Sequence, residues 1–235
     1  MNLLELRGVG RLHVHRGREH VLLHDVSLEV DAGELVVVWG PRRCGRSTLL
    51  RIAAGVEPPD AGTVRFAGRE LTGRAAALGQ GIGYCQRGVY GTEARGVLDQ
   101  LLVAQLARGI AQQTARERVF TALERAGAAA CASLEMNELD AGEATRVALA
   151  RALVLEPSLI LLDDPIRGVD LGERDSILSL LRSLADGGIA VLAATDDATG
   201  LSGADRALSL SEGTLRGEHT PHLAPVVPLR RQAAW

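Results

Sequence analysis

No lysine occurs among the 235 residues, and all 26 basic side chains are arginine. An arginine at a place where a lysine is usual therefore says little alone, since the whole chain shows the same drift. Cysteine is scarce too: Cys44, Cys85 and Cys131 are too few and too scattered for a disulfide framework or a zinc cluster, so a reducing cytosol is the expected setting. A basic excess is missing, and a net charge of -3 argues against wholesale nucleic-acid binding while leaving a nucleotide ligand compatible. No apolar run is long enough to span a bilayer. The opening residues, Met1-Asn2-Leu3-Leu4-Glu5-Leu6-Arg7, lack a basic region followed by a long apolar stretch, so no secretory signal is expected and any membrane role would be by docking. With 46% hydrophobic residues, the chain can bury a full core as one large domain or as a domain with an inserted lobe.

Residues 3–6, 21–30 and 63–66 read as short strands broken by glycine-containing turns, an antiparallel edge layer. The runs 35–39, 159–162 and 189–194 are apolar without alternation, as strands covered on both faces are. Between the last two, Ile177, Leu178, Leu180, Leu181 and Leu184 have helical spacing, which predicts a parallel sheet with helices packed on it. Residues 92–128 are rich in Ala, Leu, Gln, Glu and Arg, with helical spacing at Val97, Leu101, Leu102, Leu106, Val119 and Leu123. They read as an inserted helical lobe hinged at residues 88–91 and 127–133. The tail, residues 218–235, carries Pro221, Pro225 and Pro228 and is expected to be poorly ordered.

The first chemical signal follows the strand at 35–39: Gly40-Pro41-Arg42-Arg43-Cys44-Gly45-Arg46-Ser47-Thr48, running into a helix-like segment. Strand, glycine-rich loop and helix form a phosphate-binding loop, in which backbone N–H groups cradle phosphates, a cation reaches the outer ones and a hydroxyl holds magnesium. Gly40, Gly45 and Ser47 fill these places, and Arg46 stands where lysine is usual. Cys44 reads either as a small filler or as a thiol whose ionised form the neighbouring arginines favour. The second signal is the strand ending in Asp163-Asp164-Pro165, because ligands in α/β sheets bind at strand C-termini. Asp163 is placed to hold magnesium through water, and Asp164 to orient or deprotonate an attacking water.

The third signal is the helix Thr145-Arg146-Val147-Ala148-Leu149-Ala150-Arg151-Ala152-Leu153, which leads directly into that carboxylate strand. Together with Asp25-Val26-Ser27-Leu28, Ile82-Gly83-Tyr84-Cys85-Gln86 and Gly168-Val169-Asp170, these segments stand in the order found in ATP-binding cassette (ABC) ATPases. The sequence resembles that family, the nucleotide-binding subunits of ABC transporters, over roughly residues 3–216. The resemblance implies an α/β P-loop NTPase fold: a mixed, mostly parallel sheet flanked by helices, an N-terminal antiparallel β layer and an inserted α-helical lobe. The expected boundaries are 1–86 and 146–217 for the ATP-binding core, 87–145 for the lobe ending in the signature segment, and 218–235 for the tail. It further implies ATP and magnesium as ligands and a transmembrane permease subunit as partner. A homodimer, or a heterodimer with a second cassette, and a cytoplasmic location on the inner face of the membrane follow from the same likeness.

Carried over by resemblance, Gln86 senses magnesium and couples lobe movement to the membrane partner, although a surface glutamine at a strand end is the plain alternative. Asp170 belongs to a loop crossing the dimer interface, or simply starts the next helix. His13 falls where the family stacks an aromatic on adenine, a smaller and more polar platform. Several positions depart from the family. The signature Leu-Ser-Gly-Gly-Gln appears as Leu139-Asp140-Ala141-Gly142-Glu143, so a hydroxyl that would meet the partner's γ-phosphate becomes a carboxylate; Asp140 with Glu143 equally makes a capping box. Asp164 is one methylene shorter than the family's catalytic glutamate, and Asp196 replaces the histidine that contacts the γ-phosphate. Arg42 and Arg43 are added cations, with Arg43 expected to pair with Asp196 or Asp164 unless it is solvated. Together these departures lead to the expectation of an ATP hydrolase fold with impaired turnover, driving or regulating transport, or alternatively a regulatory scaffold that binds nucleotide or none.

Overall fold

The computed structural model describes residues 2–15, 18–71, 81–86 and 95–219. Among these the chain forms ten strands and five α-helices in two β layers. The first sheet, in the order β2 (Arg18–Asp31), β1 (Asn2–His15), β4 (Ala61–Phe66) and β5 (Arg69–Glu70), is antiparallel. The second has the order β10 (Thr214–His219), β9 (Arg206–Ser211), β3 (Leu35–Trp39), β8 (Ala190–Thr195), β7 (Leu159–Asp163) and β6 (Ile82–Cys85). Its pairs are parallel except at the β9–β10 edge. The α/β fold with an antiparallel layer is therefore as the sequence implies.

The unbroken apolar runs of β3, β7 and β8 have the two-sided burial expected of strands covered on both faces. Val36, Val38, Leu159 and Leu161 turn to one side, where they pack with Leu4, Leu6 and Val9 of the antiparallel layer and with Leu49, Leu50 and Ile52 of α1 (Arg46–Ala53). Leu35, Val37, Ile160 and Leu162 turn to the other, against Val97 and Leu101 of α2 (Val97–Leu106), Val119 and Leu123 of α3 (Gln112–Arg125), Val147 and Leu149 of α4 (Ala141–Leu153), and Leu181 of α5 (Leu171–Asp186). The period-two split of adjacent residues between two clusters is what fixes the sheet between its coverings.

Two expectations need correction. The strands read at 3–6 and 21–30 are parts of 14-residue strands, because bulges between Leu6 and Val9 and between Val9 and Arg11 interrupt the alternation that a sequence shows. Leu106 lies in α2 as its helical spacing implies, at the last turn and 44% exposed. Glu218 and His219, expected in the tail, belong instead to β10, opposite Leu208 and Ala207, where polar residues fit because β10 is an edge strand; residues 220–235 lie outside the described residues. The turn before it, Glu212 (φ 49°) and Gly213 (φ 74°), has the two left-handed residues of a tight hairpin. The hinge expected at 88–91 lies outside the described residues. At the other, Gly127 (φ 65°) ends α3 and a 3-10 turn, Ala129–Ser133, buries Cys131.

Candidate functional site

Backbone crowding dictates both loop glycines. A Cβ on Gly40 would collide with the Leu210 carbonyl oxygen, and one on Gly45 would lie 2.5 Å from the Leu22 carbonyl oxygen, with φ at 105° besides. Gly45 is the residue before α1, and it leaves that helix start with no side-chain cap and no acid in its first turn. The free N–H groups and the positive end of the helix dipole suit an anion. They border a cavity of about 630 Å³ lined by His13, Leu22, Arg42, Arg43, Cys44, Gly45, Arg46, Ser47 and Thr48, a size typical of small-molecule sites. The loop and the expected adenine platform thus share one cavity, with Pro41 exposed at the turn into it. Cys44 is buried against Gly40 and is a filler of the loop.

The carboxylates gather beside the loop. Parallel pairing of β7 with β8 sets Asp163 opposite Ala194, and the Asp164 N–H donates to the Ala194 carbonyl at 2.8 Å. Asp164 itself is left-handed (φ 52°), an unfavourable conformation of the kind that concentrates at functional sites. Its Oδ1 accepts from Arg46 Nη1 at 3.3 Å and from the Asp196 N–H at 3.2 Å. This pair is buried, with 6% of the Arg46 side chain and 2% of the Asp164 side chain exposed. Arg46 Nη2 is 3.9 Å from Asp196 Oδ2, and Arg42 Nε donates to the same oxygen at 3.3 Å. Arg167 Nη1 lies 3.7 Å from Asp164 Oδ2 and 3.7 Å from Asp196 Oδ2. Three guanidiniums thus enclose two carboxylates. The expected pairing of Arg43 is corrected: Arg43 is exposed on a left-handed backbone (φ 66°), and Arg42 and Arg46 hold the acids instead. Arg167 escaped notice in the sequence; the signal was a cation three residues past Asp164.

Magnesium is tested by what surrounds Asp163. Its Oδ1 is buried with no hydrogen-bond partner among the described residues, and so is the nearby Tyr84 hydroxyl, whose pKa is pushed up to about 12 by burial and then by the charge of Asp163. An orphaned carboxylate oxygen in a buried setting is the donor a hard cation takes. Ser47, half-buried in the first turn of α1, and Gln86, exposed just past β6, supply neutral oxygens. The donor set fits a magnesium ion held by one carboxylate, a hydroxyl and the ligand's phosphates, and no cluster of three or more His, Cys, Asp or Glu suited to a metal occurs among the described residues. Neighbouring Cys85 is pushed up to about 12 by burial and takes no part.

The signature segment stands apart from the cavity at the start of α4. Asp140 caps that helix, with Oδ1 accepting the Glu143 N–H at 2.8 Å while the Asp140 N–H donates to Glu143 Oε2 at 3.1 Å, a complete capping box. Leu139 and Ala141 are half-buried. The Glu173 carboxylate fills the space over Gly142 where a Cβ would be, and is held at 3.1 Å by Arg146 Nε. Thr145 Oγ1 donates to the Pro165 carbonyl at 3.0 Å, which ties this segment to the loop after β7. Asp170 occupies the position before α5, but its side chain makes no cap hydrogen bond.

Sheet, loop and carboxylate strand together define an α/β phosphate-loop nucleotide-binding protein. A family model described as ABC transporter matches residues 23–167, and the chain belongs to that family of ATP-binding cassettes, whose ligand is ATP with magnesium. It is 33% identical over 219 residues to the lipoprotein-releasing system ATP-binding protein LolD of Chromohalobacter salexigens, covering 91% of this chain and 92% of that one. It is 30% identical over 231 residues to the macrolide export ATP-binding/permease protein MacB 1 of Yersinia pestis, covering 96% of this chain but 35% of that one. Among solved structures, a dimeric bacterial ABC transporter cassette superposes with a TM-score of 0.84 at 24% identity, over 92% of this chain and 98% of that one, a likeness of fold. No helix of the described residues is long and apolar enough to cross a membrane.

Proposed function

We propose that this cassette binds magnesium-ATP between two cassettes and drives or regulates a membrane-spanning permease from its cytoplasmic face, with weak hydrolysis. The observation that carries the weak turnover is the buried Arg46–Asp164 pair. The N–H groups at the start of α1, with Arg42 and Arg46, hold phosphates; His13 offers the base a platform; Ser47, Gln86 and Asp163 hold magnesium, which supplies charge neutralisation to the phosphates. Asp164 is the group to orient water, but it is neutralised by Arg46 and one methylene short, and a misplacement of about 1 Å can cost roughly a hundredfold in rate. Asp196 adds a negative charge where the γ-phosphate would approach, a repulsion that Arg42 offsets. Residues 87–145 are the inserted lobe in this reading, with 1–86 and 146–217 as the core. The relatives support the setting: one is named for lipoprotein release, and another combines ATP-binding and permease parts.

A second reading, a regulatory scaffold without turnover, is favoured by the signature segment, where Asp140 caps the helix start that would receive a partner's nucleotide and the Glu173 carboxylate covers Gly142. Paired with itself, the protein repeats every departure in both composite sites. Binding and hydrolysis of ATP with magnesium, measured on the wild type and on Arg46→Lys/Asp164→Glu, separate the readings. Binding with slow turnover that the double variant accelerates is expected; ordinary turnover by the wild type removes the impaired-enzyme reading, and no binding leaves the scaffold.

A further inference from the structure

The loop after β7 is anchored by packing and by hydrogen bonds. Ile166 and Val169 are buried with Ile177 and Leu178 of α5, the Arg167 N–H donates to the Asp164 carbonyl at 3.1 Å, and Arg174 Nε donates to the Val169 carbonyl at 2.9 Å. Arg167, between these anchors, extends its guanidinium to the gap between Asp164 and Asp196. Its Nη1 is buried there and makes no hydrogen bond among the described residues, since both carboxylate oxygens stand at 3.7 Å, beyond hydrogen-bond range. A buried donor left unmet is costly, and an arginine that served only to neutralise the two acids would close onto one of them. Arg42 and Arg46 line the cavity at the loop and also contact these carboxylates, so a phosphate reaching past them from the cavity meets three guanidiniums against two carboxylates. A tetrahedral phosphate presents the acceptors that a guanidinium fork takes best.

We propose that Arg167 is a ligand, from the same chain, of the terminal phosphate of a bound nucleoside triphosphate, and that through it the site distinguishes triphosphate from diphosphate. The inference rests on the nucleotide-binding reading above. It is tested by equilibrium binding of ATP and of ADP, each with magnesium, to the wild type, Arg167→Met and Arg167→Lys. Arg167→Met weakens ATP by about tenfold, the worth of a charged hydrogen bond, and leaves ADP within about twofold. Arg167→Lys keeps the charge but loses the fork, and so restores part of the ATP affinity. Equal loss of both nucleotides, or no change in either, overturns the proposal. If Arg167→Met unfolds, as thermal melting without nucleotide reports, the Arg167→Lys ratio of ATP to ADP affinity decides in the same way. A wild type that binds neither nucleotide brings down the binding reading and this inference with it. A wild type that binds both, with the variants losing both equally, brings down this inference alone.

Discussion

The helix starts at Gly45 and at Asp140 meet the same need, four backbone N–H groups without partners, in opposite ways. At α1 no side chain among the described residues caps the helix, and the N–H groups open onto a cavity rich in arginine. At α4 a reciprocal capping box closes the start, and the Glu173 carboxylate covers Gly142. Both ends carry the dipole that attracts an anion, but only one leaves room for an anion from outside. The difference teaches that a motif's residues are read by what already satisfies them: the loop keeps its geometry and trades side chains, whereas the signature keeps its helix and fills its own site.

The comparison breaks most severely at Asp164. Asp164→Ala leaves Arg46 buried without its closest carboxylate and should destabilise the protein by about 3–5 kcal/mol, read by chemical denaturation, while Arg46→Met/Asp164→Leu recovers most of that loss. If the single variant is as stable as the wild type, the α1 side of the comparison does not depend on this pair. At α4 a smaller effect is expected: Asp140→Ala costs about 1 kcal/mol through loss of the cap, and Asp140→Asn costs little because asparagine caps as well. Equal losses in the two would assign the effect to charge and not to the cap.

The smallest effect belongs to Asp197, which begins the 3-10 turn after β8. Its carboxyl is held below the usual range by hydrogen bonds from the Thr199 N–H and hydroxyl, with Arg174 adding to them against the opposing effect of burial. A lowered folded pKa stabilises above the ordinary carboxylate value and is lost as pH falls through the folded value. Asp197→Asn should therefore cost under about 1 kcal/mol at neutral pH, solvent screening included, and nothing at strongly acid pH. A difference that persists in acid would show that the charge is not its source.

What could be read in advance follows from how local each signal is. Period-two burial in β3, β7 and β8, the paired glycines of the loop and the Asp140–Glu143 spacing are encoded within a few residues, and all were legible. The bulged strand β1 was not, because its register shifts depend on β2 and β4. The partner of Asp164 was misread for a similar reason: Arg42, Arg43 and Arg46 are equivalent as letters, and only the folded loop shows that Arg42 and Arg46 meet the acids while Arg43 is exposed. Arg167 is three residues from Asp164 in sequence, but its nearness to Asp196 arises from the pairing of β7 with β8.

Trp39, the last residue of β3, is 40% exposed and directly precedes Gly40. Its neighbours in register are Thr195, one residue before Asp196, and Ser209. The only other tryptophan in the chain is Trp235. With Trp235 replaced by phenylalanine, a single indole emitter stands at the threshold of the loop, in partial contact with water. The protein thereby carries a built-in indole one residue from the loop, and a change in its emission on mixing with nucleotide in a stopped-flow cell would report loop occupancy without any attached dye.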